Sequence, residues 1–145
     1  MTEAETREYL NRYRTEKRKI RRLAEQIAEL RERQLSARGV NIDAMPKGGG
    51  GSDLSNYAAR LDELERRLLE QEREAGEFLL EEIRAINRIE DERVRTVLTL
   101  YYVRGYRWEE ICTLHGYSWR QTFRLRNRGI KALMEVLDEG RETEA

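Results

Sequence analysis

The sequence predicts an all-α protein: an N-terminal antiparallel hairpin of two long coiled-coil helices, followed by a C-terminal three-helix helix-turn-helix domain. Three observations predict it. Charged side chains make up 39% of the 145 residues, too many for one large spherical core but suited to long, narrow helices. Apolar residues recur at alternating spacings of three and four through both halves of the first 88 residues. Beyond residue 89 the periodic runs shorten, and Gly105 and Gly116 punctuate them.

The first rod is read over about residues 3–36, with Tyr9, Tyr13, Ile20, Leu23, Ile27 and Leu30 on one stripe and Glu, Arg and Lys on most of the remaining face. It ends in "SARGVNIDAMPKGGGGS", 36–52, which holds the only proline and a run of four glycines and reads as a flexible loop over 37–52. Ser52 or Asp53 can cap a second rod, whose Tyr57, Leu61, Leu64, Leu68, Ala75, Leu79, Ile83 and Ile86 carry another stripe to about residue 88. The spacing slips between Gln71 and Ala75, so the heptad is imperfect. At ~1.5 Å per residue each rod spans roughly 50 Å, and rods of matched length on a flexible loop fold back so that each stripe covers the other. A spacer or dimerisation arm results. The basic run "RTEKRKIRR", 14–22, prompts a rival reading of a basic helix that binds nucleic acid, but Glu16, Glu25, Glu29 and Glu32 interleave and flank it and argue mostly for a mixed-charge, solvated coiled-coil face.

Residues 89–138 form the second domain and 139–145 a polar tail. Asp91 can start a helix that turns Val94, Val97, Leu98 and Tyr101 inward and stops at Gly105, whose freedom to adopt positive φ suits a C-terminal cap. "RWEEICTLHG" makes a shorter helix, with Glu109 and Glu110 favoring the positive end of its dipole and Trp108, Ile111, Cys112 and Leu114 aimed inward. Gly116 permits a tight turn. Ser118 then caps a third helix, 118–137, with Gln121 completing a Ser-x-x-Gln capping box, and Thr122, Leu125, Gly129, Ile130, Leu133 and Leu137 facing the core.

From residue 116 to 133 the chain carries Arg120, Arg124, Arg126, Arg128 and Lys131 without one acid, although its formal charge overall is zero. If the apolar stripe of the third helix faces inward, Trp119, Arg120, Phe123, Arg124, Asn127, Arg128 and Lys131 lie on flanking or outward faces. Water gives no reason to exclude carboxylates from such a face. The major groove of DNA does, because phosphates on both sides repel acids and reward each Arg or Lys through counterion release.

The segment "DERVRTVLTLYYVRGYRWEEICTLHGYSWRQTFRLRNRGIKAL" resembles region 4 of bacterial sigma factors, the helix-turn-helix that reads the upstream promoter hexamer. The shared features are "RTVL" at 95–98, a glycine followed by Trp-Glu-Glu-Ile, a Leu-x-Gly-x-Ser turn, and an arginine-rich last helix ending in an aliphatic pair. As a whole the chain is similar to small phage and prophage late transcription regulators of the ArpU and RinA type. The resemblance covers roughly the last third at the domain level. Cys112 and Gly129 stand where such domains have alanine, Thr122 where they prefer Val or Ile, and Trp119 where a polar residue is usual. No promoter-melting domain precedes, so the resemblance implies DNA binding or polymerase contact and not a complete sigma factor.

Carried across residue by residue, the resemblance places base-reading positions at Trp119, Arg120, Phe123 and Arg124. Arg120 and Arg124 suit guanine, which a guanidinium can pair bidentately. Arg126, Arg128 and Lys131 suit phosphates, with Asn127 beside them. Gln121 either reads adenine or completes the cap. Trp119 and Phe123 either touch thymine methyl groups and sugars or pack against the hairpin. Tyr101 and Tyr102 read as core and rim, His115 as a surface residue and Cys112 as buried filler.

One cysteine and one histidine give no disulfide and no metal cluster, and no cofactor is implied. No Gly-rich phosphate loop and no nucleophile with a base is evident, so the chain reads as a non-enzyme. No run approaches ~18 apolar residues and no signal-peptide core follows Met1, which points to the cytoplasm, here that of a bacterial host cell, and to no membrane partner. The expected function is a sequence-specific transcription regulator of phage type that binds double-stranded DNA as a homodimer formed through the hairpin. Two alternatives stay open: an adaptor that binds RNA polymerase, and a DNA-packaging component of the small-terminase kind.

Overall fold

A computed structural model describes the backbone of residues 1–44 and 49–144 and the side chains of 1–37 and 54–140. The chain is all-α, with no strand among the described residues, and the two long helices pack against each other as an antiparallel hairpin. Helix α1 is Glu3–Ala44 and α2 is Gly49–Asn87. Three further helices follow: α3, Glu92–Leu98, which runs on into a π-helical turn, Thr99–Val103; α4, Trp108–His115; and α5, Trp119–Glu144. Among the described residues no helix is long and apolar enough to cross a membrane.

Both rods run further than their apolar stripes. Backbone helix continues through 37–44 and resumes at 49, inside the stretch read as a loop, and Ser52 and Asp53 therefore fall within α2 rather than ahead of it. Residues 45–48, the middle of that expected loop, lie outside the described residues. Helix α5 likewise continues to Glu144, through most of the stretch read as a polar tail.

Packing divides the chain into two compact units, Glu16–Glu74 and the pair of segments Met1–Thr15 and Ala75–Ala145. In the first, Leu23, Ile27 and Leu30 of α1 are buried with Leu61 of α2, and Tyr57, Leu64 and Leu68 complete the seam. Arg31 reaches across to Glu65. This is the interlocking of apolar stripes that the spacing predicts.

The second unit gathers α3, α4 and α5 around the first turns of α1 and the last turns of α2. Its core contains Leu10, Ala85 and Ile86 together with Ile89, Val94, Val97, Leu98, Leu100, Tyr102, Ile111, Leu125, Ile130 and Leu133. Leu10, Val97, Leu98, Ile111 and Leu133 are wholly buried. At ~1.5–3 kcal/mol for each large aliphatic side chain removed from water, the hairpin's share of this core is a substantial part of what holds α3–α5 together. Polar groups enter as well. Thr6 is buried, with its hydroxyl donating to the Thr2 carbonyl at 2.8 Å, and the Glu82 side chain is fully buried beneath Tyr13 and Arg12.

Local chemistry sets the short elements. Asp91 accepts from the Arg93 backbone N–H at 3.0 Å and so caps α3. The Arg95 guanidinium donates to the Ile89 and Glu90 carbonyls and ties the entrance of α3 to the end of α2. In the π-helical turn the Arg104 N–H reaches back to the Thr99 carbonyl at 2.9 Å, one residue further than in an α-helix. The extra residue rotates the chain so that Tyr102 enters the core while Tyr101 remains half-buried at its edge. Gly105 and Gly116 then take φ of 77° and 66°, the left-handed region that ends each helix.

Candidate nucleic-acid interface

Helix α5 is presented by the turn before it. The Ser118 backbone N–H donates to Gln121 Oε1 at 3.0 Å, and the Gln121 N–H donates to Ser118 Oγ at 3.1 Å, so two backbone donors at the start of the helix are satisfied reciprocally. Gln121 is thus a capping residue whose carbonyl oxygen is already engaged. One face of α5 goes inward: Thr122, Leu125, Gly129, Ile130 and Leu133 are all buried. Gly129 is a point of close approach, since a Cβ there would stand 2.7 Å from Leu98 Cδ1 and 2.9 Å from Leu98 Cγ.

The opposite stripe faces solvent. Arg120, Arg124, Asn127, Arg128 and Lys131 are exposed and, with half-buried Phe123, line one shallow open groove along the helix. Their spacing of four, three, one and three residues keeps them on one face over about 16 Å of helix axis. None of Arg120, Arg124, Arg128 and Lys131 has an ion-pair partner among the described residues. Elsewhere arginines find carboxylates readily: Arg7 meets Glu3 at 2.8 Å, Arg12 meets Glu81 at 2.8 Å, and Arg66 meets Asp62 at 2.8 Å. The groove of α5 therefore concentrates four cations without an acid among them.

Arg126 leaves this stripe. It is half-buried on the flank, its guanidinium 4.8 Å from the Phe123 ring centroid and 5.9 Å from that of Trp108, and it donates to Asn127 Oδ1 at 3.1 Å. Asn127 accordingly offers its amide N–H groups outward while its oxygen is held. Phe123 packs against Trp108 of α4 at 5.8 Å and against Trp119 at 5.4 Å, so its ring belongs to an aromatic cluster within the three helices. Trp119, 48% exposed at the first turn of α5, keeps much of its indole free.

The surroundings depart from the sequence reading at several positions. Leu114, expected to face inward, is 60% exposed, because α4 is only two turns long and fully buries Ile111 alone. Cys112 is half-buried rather than sequestered, its sulfur 3.2 Å from the hydroxyl of buried Thr122. That contact explains the threonine, which gives the thiol a polar neighbor that Val or Ile would not. His115 stacks on Tyr117 at 5.4 Å on the surface. At the start of α4, Glu110 accepts from the Arg107 side chain at 2.8 Å, and this bond holds the Glu110 carboxyl below its ordinary range.

Sequence reasoning met Arg14 only as the first residue of the mixed-charge run 14–22 and did not foresee the rings beneath it. The Arg14 guanidinium lies 4.0 Å above the Tyr101 ring, and Tyr101 stacks on Trp108 at 3.9 Å with the planes 13° apart. Nothing local in the sequence signals a contact across 87 residues. No protein-family model, no curated protein and no solved structure matches the chain.

Proposed function

We propose that the protein is a sequence-specific double-stranded DNA-binding transcription regulator of phage type, in which α4, the Gly116 turn and α5 act as a helix-turn-helix with α5 in the major groove. One observation carries this reading: an acid-free stripe of exposed, unpaired cations, Arg120, Arg124, Arg128 and Lys131, on a helix whose other face is anchored in a core. A groove about 12 Å wide accepts a helix of this girth. Arg120 and Arg124, nearest the start of α5, address guanine edges, and exposed Trp119 supplies apolar contact to thymine methyls. Arg128 and Lys131 bind phosphate, with Asn127 between them. Gln121 serves the cap.

Two copies address two half-sites about one or more helical turns apart. Leu35 and Leu69, 65% and 68% exposed on the hairpin, are the apolar positions that support pairing of the arms. Bacterial cytoplasm is the corresponding location.

The test is selection of a duplex from random DNA, followed by titration at several salt concentrations. Arg124→Ala is expected to relax base preference at one position and cost about 1–3 kcal/mol, while Lys131→Ala weakens binding to all sequences and lowers the salt slope by about one. Equal salt response in both variants with unchanged base preference rejects this division of roles. Affinity for RNA polymerase without affinity for DNA selects the adaptor reading instead, and a closed ring in a mass measurement selects the packaging reading.

A further inference from the structure

Three arginines lie in the Met1–Thr15 segment, and two of them are matched by carboxylates: Arg7 by Glu3, and Arg12 by Glu81. Arg14 is not. Its guanidinium rests on the Tyr101 ring, with Nη1 donating to the Tyr101 carbonyl at 3.5 Å, and it has no ion-pair partner among the described residues. Half-burying a guanidinium without an anion costs solvation that a neutral side chain covering Tyr101 would not lose. The aromatic contact returns only part of that.

The position of Arg14 relative to α5 gives the charge a use. Tyr101 stacks on Trp108 at 3.9 Å, Trp108 contacts Phe123 at 5.8 Å, and Phe123 contacts Trp119 at 5.4 Å. Arg126, also without an ion-pair partner among the described residues, borders the same column over Phe123 and Trp108. A continuous aromatic column thus runs from the first turn of the reading helix to Arg14, with Arg126 along its flank. Burial raises the Tyr102 hydroxyl pKa overall, and Arg126, Arg7 and Arg14 all act against that rise, so α1 and α5 contribute to one positive field.

Building on the major-groove reading of α5, we propose that Arg14 is a further DNA-backbone contact, made from α1 to a phosphate flanking the base pairs that α5 reads, on the side where Arg126 borders the aromatic column. Trp108 and Tyr101 are positioning residues for it. They set its distance from the groove by rigid stacking, which a flexible surface side chain would lack. The hairpin is in this way part of the recognition surface as well as a spacer.

The experiment uses the full chain and the duplex recovered by selection. Arg14→Met keeps an unbranched stem over Tyr101 and removes the charge, and Arg14→Lys keeps the charge and changes its shape. Arg14→Met is expected to lower the slope of log K against log salt by about one, to abolish one phosphate-ethylation interference position at the edge of the site, and to leave base preference unchanged. Arg14→Lys is expected to restore the slope. An Arg14→Met variant that keeps the wild-type slope and interference pattern overturns the inference, as does a loss that Lys fails to rescue in a chain whose unfolding midpoint is unaltered. Lys131→Ala separates the two levels. If it lowers the slope and Arg14→Met does not, only the α1 contact falls, whereas a wild-type chain without salt-dependent duplex binding removes both readings.

Discussion

One buried carboxyl group has one oxygen lightly bonded and the other without a hydrogen-bond partner among the described residues. Glu82 is fully buried; its Oε1 accepts from the Tyr13 backbone N–H at 3.4 Å and stands 3.8 Å from Arg12 Nε, while Oε2 has no partner. Burial outweighs the help of Tyr13 and Arg12 and, with neighboring Glu81 adding to it, pushes the carboxyl up from 4.5 to about 8. Between those values the folded chain holds a proton that the unfolded chain has released. Stability therefore falls as pH rises through that window and stays lower above it. Glu82→Gln, neutral at every pH, is expected to match the wild type near pH 4 and to exceed it by a few kcal/mol near pH 9. Urea unfolding of both proteins across this range checks it, and parallel pH profiles would contradict the assignment. Position 82 follows Ile83 and Ile86 onto the inner side of α2, yet nothing in its identity announces burial: among the many glutamates of the rods it looks like another solvated charge.

At the scale of elements, the contact between α3 and α5 is set by Gly129. The resemblance to sigma region 4 leads one to expect alanine there, and helix propensity alone would reward it by about 1 kcal/mol. Leu98 occupies the space, however, and is wholly buried, so it has no open direction in which to yield. Overpacking of this kind costs about 1–3 kcal/mol, more than propensity returns. Gly129→Ala is thus expected to lower stability by roughly 1 kcal/mol, read from the denaturant midpoint at constant m; a stabilized variant would show that the helices can separate without cost. The Ser118 and Gln121 bonds at the other end of α5 were legible beforehand because a cap joins residues three apart. The Asp91 cap and the two left-handed glycines were legible for the same reason. The π-helical turn was not, since "TLYYV" fits an α-helix equally well, and the added residue serves to seat Tyr102 in a core assembled from distant segments.

For the molecule as a whole, the consequence of greatest practical weight is that α3–α5 do not own their core. Leu10 is wholly buried in it, and Ala85 and Ile86 are 6% and 1% exposed. A fragment spanning 89–145 would return these contacts to water, at ~1.5–3 kcal/mol for each large aliphatic lost, against the ~5–15 kcal/mol that stabilizes a typical domain. Such a fragment is expected to unfold without a sharp thermal transition and to bind duplex DNA poorly, while the full chain melts cooperatively. Circular dichroism melts of the two compare them directly, and a cooperative fragment would mean that the hairpin is dispensable. Residues 89–138 are a natural domain in sequence because their periodicity changes at 89, but packing follows proximity, which places residue 10 in the same core as residue 133.

What the chain's order of residues determined alone is what depends on near neighbors and on repeats: an all-α fold, two long apolar stripes that interlock, capped short helices, and a cationic stretch, 116–133, that contains no acid. Tertiary structure alone decided which segments share a core, which arginines find carboxylates, that Leu114 faces water, and that Arg14 sits on Tyr101. The physical reason is range. Caps and helical periodicity act over three or four residues, whereas burial and ion pairing depend on contacts between segments up to 137 positions apart, as between Met1 and Asp138, which exist only once the chain has closed on itself.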